Sequence, residues 1–185
     1  MQLMLSRLLG LEVDFTNDIQ VFHQYEGPKF SYSVPVEKKY LYFAGNGLLI
    51  ESNIHARELR HFNYEGNLVF FPVIDKYSAL PFDLFSASFY LVSRFEEYLP
   101  NIRDNHNRYL ASGSDAYQQG YLHKPLVNHW SFLLRDVLLK KFPALKFRMP
   151  VYRFIPSIDI DAAYAYKNKG LTRALGGMVK AFQNR

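Results

Sequence analysis

The sequence predicts an α/β protein, because segments with strand spacing and segments with helix spacing follow one another along the chain. Residues 67–74 form a continuous apolar run, which is typical of a strand buried on both faces. Residues 83–98 and 126–142 instead place apolar residues three or four positions apart, as helices that pack on one side do. We therefore expect strands and helices to share one core.

The first 22 residues predict three short elements. Residues 1–10 predict a helix whose buried side carries leucines (Leu3, Leu5, Leu8 and Leu9). A strand is expected at Leu11–Phe15. Asn17 and Asp18 are good helix caps, since a short polar side chain can accept a hydrogen bond from the first free backbone N–H groups. A further helical turn is expected after them.

Alternation and a turn signal predict strands in the next segment. Residues 29–36 place apolar or aromatic side chains at every second position, which is strand spacing. Residues 40–43 and 48–51 flank Gly45-Asn46-Gly47, a sequence that favours a tight turn between two paired strands. The pattern predicts a hairpin here.

Each of the two long helices has its own end signals. The first has Asp83 as its cap and Pro100 beyond its end; its apolar side comprises Phe85, Phe89, Val92 and Phe95. The second ends at Pro143, which cannot continue a helix; its apolar side comprises Trp130, Leu133, Leu134, Val137 and Leu138. The polar residues 101–119 between them are expected to form a loop.

Composition limits the class of protein. With 49% hydrophobic residues and 30 Phe and Tyr in all (16 and 14), the chain can build a core. The absence of cysteine excludes disulfides and thiolate metal sites, and no signal peptide or membrane span is evident, so a cytoplasmic protein is expected. The net charge of +5 resides entirely after Asp161, and the neutral body gives no sign of a nucleic-acid-binding face.

The strongest chemical signal is a pair of carboxylates at the end of a predicted strand. Residues 151–160 read as a strand that leads to Asp159 and Asp161, and a helix is expected from about Leu171. At positions i and i+2 of an extended chain both side chains project to the same side. A divalent metal would relieve their repulsion, with one carboxylate ligating and the other taking a proton. Two solvated aspartates at a turn would give the same pattern.

The segment 156–161, with Ala163-Tyr164, Lys169-Gly170 and Gly176-Gly177, resembles the first motif of bacterial NodB-type polysaccharide deacetylases. Residues 81–85 and 93–100 resemble an uncharacterised domain that precedes the deacetylase domain in some of these proteins. The resemblance therefore implies an accessory α/β domain at 1–149 and the start of a deacetylase domain at 150–185. The family's catalytic domain is a distorted (β/α) barrel, of which this chain would hold the first strand and helix.

By this resemblance Asp159 would be the general base and Asp161 a ligand of a divalent metal, usually zinc. The family completes its metal site with His-x-x-x-His, and no histidine pair in this sequence has that spacing. We therefore expect a truncated piece that is inactive alone and binds no metal tightly. The longer protein to which this piece would belong would deacetylate a carbohydrate substrate. The exposed edge of the incomplete barrel predicts self-association.

Other functions stay open at this point. Residues 1–149 could form a non-catalytic glycan-binding or scaffolding module, and Asp-x-Asp also occurs in glycosyltransferases that bind nucleotide sugars. An aspartyl-phosphate phosphatase normally has Thr or Val at the position of Ala163.

Glu96 and Glu97 could be read as an acid/base pair, but adjacent residues of a helix point in different directions. The sequence favours a solvated helix end with Arg94 nearby. Tyr117 and Tyr121 could stack on sugars, with little specificity.

Overall fold

The computed structural model describes residues 1–148, 151–159 and 176. The chain divides into two compact units, Met1–Pro150 and Val151–Arg185. The first unit is mixed α/β, as predicted.

Two small sheets and a set of helices make up the first unit. Strands β1 (Phe30–Tyr32) and β2 (Leu41–Phe43) pair in parallel, and strands β3 (Phe62–Tyr64) and β4 (Asn67–Val69) pair antiparallel. The α-helices are α1 (Ile19–Gln24), α2 (Leu84–Val92), α3 (Asp115–Gln118) and α4 (Leu126–Lys141). A π-helix spans Leu3–Leu8, and 3-10 turns span Phe95–Tyr98 and Ala111–Gly113.

The N-terminal elements are only partly as predicted. The first helix forms, but Leu3 is 40% exposed and Met4 is buried beside Leu5 and Leu9. Asp18 caps α1 as expected, accepting a hydrogen bond from the Gln20 N–H at 2.7 Å. The strand predicted at Leu11–Phe15 is wrong, since residues 11–18 have no regular structure.

The hairpin predicted around Gly45-Asn46-Gly47 is also wrong. Residues 48–50 form a turn, in which the Ile50 and Glu51 N–H groups donate to the Gly47 carbonyl. The Asn46 N–H meanwhile donates to the buried Asp83 carboxylate at 2.6 Å. Strand β2 therefore pairs with β1, which precedes it in the chain. A long-range polar anchor overrides the local turn signal.

The buried apolar run is shorter as a strand than predicted. Strand β4 ends at Val69, and Phe71 adopts a left-handed conformation with φ of 61°. Phe70 and Phe71 are buried, whereas Ile74 is fully exposed, so the chain leaves the core between them. Hairpin β3–β4 turns through Glu65 and Gly66, both at positive φ, which matches the right-handed twist of paired strands.

Helix α2 is confirmed, but its predicted apolar side is wrong in part. Asp83 caps it by accepting from the Ser86 N–H at 3.0 Å. The helix ends at Val92, and Arg94 follows in a left-handed conformation with φ of 54°. Phe85 is buried, but Phe89 and Val92 are 42% and 54% exposed, because the helix directs Leu84, Ala87 and Ser88 into the core instead. Phe95, beyond the break, is buried.

Helix α4 carries the centre of the core. Trp130 is fully buried, and its indole N–H donates to the Leu68 carbonyl at 2.9 Å. Its ring makes edge contacts with Phe70 and Phe82, at centroid distances of 5.4 and 6.0 Å. Leu133, Leu134 and Leu138 are buried with it, as predicted. One aromatic cluster thus joins hairpin β3–β4 to the helices.

The strand predicted at 151–160 does not form in the described residues 151–159, which have no regular structure. Their large apolar side chains are exposed. The helix predicted from Leu171 lies outside the described residues. Across the part of the chain that the structure describes, each helix is too short or too polar to cross a membrane.

Candidate binding cleft

The predicted general base and the predicted metal ligand fall in or beyond the irregular segment. Asp159 is exposed, and Asp161 lies outside the described residues. Within residues 1–148 and 151–159, His, Asp and Glu nowhere form a group of three that could hold a metal ion. The described residues therefore do not fit a zinc site.

The histidines instead pair with carboxylates in separate places. His55 contacts Glu51 at 3.3 Å on the surface. His61 Nε2 contacts Asp115 Oδ2 at 2.8 Å, and both side chains are mostly buried, at 13% and 16% exposure. Asp115 of the second pair lies between Ser114 and Ala116, which line a cleft in the surface.

The cleft has a volume of about 230 Å³ and opens beside the C-terminal end of α2. Its lining contains both apolar and polar residues. The apolar residues are Leu91, Ala111, Ala116 and Leu122, and the polar ones are Arg94, Glu96, Glu97, Tyr109 and Ser114.

The backbone break at Arg94 positions the acidic side of the cleft. After it, the 3-10 turn Phe95–Tyr98 directs Glu96 toward the loop that leads to α3. Glu96 Oε2 accepts from the Asp115 N–H at 2.8 Å and from the Tyr109 hydroxyl at 3.4 Å. One carboxylate thus ties two distant parts of the chain together.

Side-chain hydrogen bonds hold helix α3 at its N-terminal end. Ser114 caps it by accepting from the Tyr117 N–H at 3.2 Å, and the same hydroxyl donates to the Ala111 carbonyl at 2.7 Å. Asp115, the first residue of α3, accepts from the Tyr121 hydroxyl and contacts His61. These bonds fix the start of α3 beside the cleft.

Burial changes the acidity of the groups around the cleft. It raises the pKa of Glu96, and the nearby Asp115 charge adds to the effect, while the hydrogen bonds from Asp115 N–H and Tyr109 act in the opposite direction. Burial and the Glu96 carboxylate raise the pKa of Tyr109 to about 12. Burial, and then the bond to Asp115, raises the pKa of Tyr121 as well. A carboxyl with a raised pKa in a cleft is a frequent mark of a functional site.

The available hydrogen-bonding groups favour a ligand that donates. Both bonds to Glu96 go to Oε2, and within the described part of the chain its Oε1 accepts none. Arg94 forms a salt bridge with Glu97, so its positive charge is already paired. The cleft therefore offers carboxylate acceptors beside apolar residues.

Sequence reasoning missed this site. It correctly placed Arg94 near the two glutamates but took both for a solvated helix end, whereas Glu96 is half-buried. The partners of Glu96 lie 13 and 19 residues further on, in a segment predicted to be a loop. Because no local pattern links residues so far apart, only the folded chain reveals the contact.

Comparison of the sequence with known proteins identifies a family whose function is unknown. A family model described as a family of unknown function (DUF7033) matches residues 1–143. No curated protein and no solved structure matches the chain.

Proposed function

We propose that this chain, which belongs to the DUF7033 family of unknown function, is part of a metal-dependent carbohydrate N-deacetylase. In this proposal residues 1–149 form an accessory domain. Residues 150–185 belong to the deacetylase domain, with Asp159 as general base and Asp161 as a metal ligand.

One observation carries the proposal: an apolar segment that leads to the Asp-x-Asp motif is uncovered. Its five large apolar side chains are between 75% and 90% exposed (Val151, Tyr152, Phe154, Ile155 and Ile158). Soluble proteins seldom leave such a contiguous apolar stretch in water, so it marks a surface that another part of a protein covers. A barrel strand flanked by further strands would bury these side chains.

The matched family region ends before the motif, which supports the division of roles. The match stops at residue 143, and the second compact unit begins at Val151. The residues that resemble a deacetylase, 156–161, thus lie outside the family of unknown function. An accessory domain followed by a catalytic one accounts for this order.

The metal site of the proposed enzyme needs more ligands than this sequence supplies. The 185 residues contain no His-x-x-x-His, and the described residues do not fit a metal centre. In the proposal the histidines come from residues outside the printed sequence.

Acetate release by the natural gene product that carries this sequence tests the proposal. We expect zinc-dependent release of acetate from N-acetylglucosamine oligomers. Asp159→Asn should lower the rate by about 10²–10⁴-fold, the usual contribution of a general base. Asp161→Asn should lower zinc affinity as well as the rate.

The matched control is Asp136→Asn, because the Asp136 side chain is 60% exposed on α4 and pairs with Arg135. Its activity should equal that of the unchanged protein. Acetate release that needs no metal, or that survives Asp161→Asn, would contradict the proposal.

A further inference from the structure

The size of the cleft beside α2 limits what it can hold. Its volume of about 230 Å³ is below the roughly 300–1,000 Å³ of pockets for drug-sized ligands. A single small ring fits such a space, and a folded peptide does not. The ligand is therefore a small molecule or one unit of a chain molecule.

The charges of the cleft limit the ligand further. Two carboxylates, Glu96 and Glu97, face one guanidinium, Arg94, which leaves one net negative charge. Because Arg94 is paired with Glu97, an anionic ligand would meet no free cation in the lining. The ligand is neutral or cationic.

The two kinds of lining residue suit a molecule with one apolar face and one edge of donors. Leu91 and Leu122 can contact the C–H face of a ring, and Leu122 is 48% exposed at the rim. Glu96 Oε1 and the Tyr109 hydroxyl are near enough to share its polar edge, since Tyr109 already bonds to Glu96. A sugar ring has this combination of surfaces.

We propose that the cleft binds one amino-sugar unit, with its ammonium group at Glu96 Oε1 and its ring against Leu91 and Leu122. The choice of an amino sugar over another cationic ring rests on the proposed function, because deacetylation of an N-acetylated glycan yields this group. The accessory domain would then hold the product end of the glycan.

Binding depends on the charge of Glu96, so it should weaken in acid. The raised pKa of Glu96 means that this loss begins above the ordinary range of a glutamate. Asp115, Tyr109 and Glu97 are the titratable groups that face Glu96, and Arg94 completes the lining.

Titration of the chain with three monosaccharides, followed by NMR or calorimetry, tests the inference. We expect glucosamine to bind in the millimolar range, N-acetylglucosamine about tenfold more weakly, and glucuronic acid not at all. Glu96→Gln should weaken glucosamine binding about tenfold or more, since hydrogen bonds to a charged group are worth about 1.5–3 kcal/mol. It keeps an acceptor for the Asp115 N–H, so the fold should survive.

Glu58→Gln is the matched control, because Glu58 is exposed and pairs with Arg60 on the surface. Its affinity for glucosamine should not change. Equal binding by the Glu96→Gln and Glu58→Gln variants, tighter binding of glucuronic acid, or no binding of glucosamine would overturn the inference. If Glu96→Gln unfolds, Tyr109→Phe replaces it, with a smaller loss of affinity expected and an unchanged affinity counting against the site.

The two proposals fail separately. Glucosamine binding without acetate release by the gene product would leave the cleft assignment intact and remove the deacetylase. Acetate release without glucosamine binding would do the reverse.

Discussion

The core of the first unit and the segment 151–159 are both rich in aromatic and aliphatic residues, but these side chains are buried in the core and exposed in the segment. Phe70 and Trp130 are fully buried, while Tyr152 and Phe154 are 90% and 79% exposed. A hydrophobic sequence indicates that burial of the segment would be favourable. Whether the segment is buried depends on a partner surface.

The difference has a physical scale. Full burial of a large apolar side chain contributes about 1.5–3 kcal/mol. The first unit realises this gain because α4 and hairpin β3–β4 meet at one aromatic cluster around Trp130, which Tyr90 of α2 joins through its edge contact with Phe70. The five exposed side chains of residues 151–159 realise none of it. The two regions should therefore respond differently to the same kind of substitution.

The largest effect is expected at the centre of the core. Trp130→Ala removes a fully buried ring and the donor to the Leu68 carbonyl, so it should lower the free energy of unfolding by about 3–5 kcal/mol. Urea denaturation measures this loss. Phe132→Ala is the control on the same helix, and since Phe132 is 39% exposed it should cost less than half as much. Equal losses of unfolding free energy in the two variants would contradict the difference expected between buried and exposed aromatic residues.

The next effect concerns the polar anchor inside the same unit. Asp83 is 1% exposed and accepts hydrogen bonds from the Tyr32 hydroxyl and the Asn46 and Ser86 N–H groups. Asp83→Ala leaves these donors unsatisfied, so a loss of about 3 kcal/mol is expected. Chemical denaturation measures it.

A double-mutant cycle with Tyr32→Phe isolates one of these contacts. Tyr32→Phe alone should cost about 1 kcal/mol, and less once Asp83 is already alanine. Additive losses would show that the 2.8 Å hydrogen bond contributes nothing.

What the sequence could predict also differs from one part of the molecule to another. Helix α4, helix α2 and the caps at Asp18 and Asp83 were predictable because their signals are local: an apolar period and a short polar side chain before it. The parallel pairing of β1 with β2 was not, because the bond from the Asn46 N–H to Asp83 joins residues 37 apart.

Two other failures have the same cause. Phe89 and Val92 fit a helical stripe, but packing against the rest of the unit buries Leu84, Ala87 and Ser88 of α2 instead. The left-handed Arg94 then ends the helix before Phe95. The cleft depends on Glu96 reaching Asp115 and Tyr109 through a loop without periodicity. Local patterns predicted elements, and they failed where a distant contact or a backbone break decided the structure.

A smaller effect is expected at the half-buried Glu96. Its raised pKa means that the folded protein holds this proton more tightly than the unfolded chain, so its contribution to stability falls as the pH rises above about 4.5. Glu96→Gln removes this dependence and should gain stability relative to the unchanged protein between pH 4 and pH 7. The gain should be at most about 1 kcal/mol, because solvent screens a half-exposed group. Thermal melts at both pH values check the sign, and a gain at pH 4 that vanishes at pH 7 would reverse it.

The smallest effect on folding is expected in the segment 151–159. Phe154→Ser changes a side chain that is 79% exposed, so the free energy of unfolding of the chain should change by less than about 0.5 kcal/mol. The same substitution in the natural gene product, where we propose that other strands cover this segment, should cost about 3 kcal/mol or more. Urea denaturation of both proteins measures the difference. A negligible cost in both would mean that nothing covers Phe154, and it would remove the observation on which the deacetylase proposal rests.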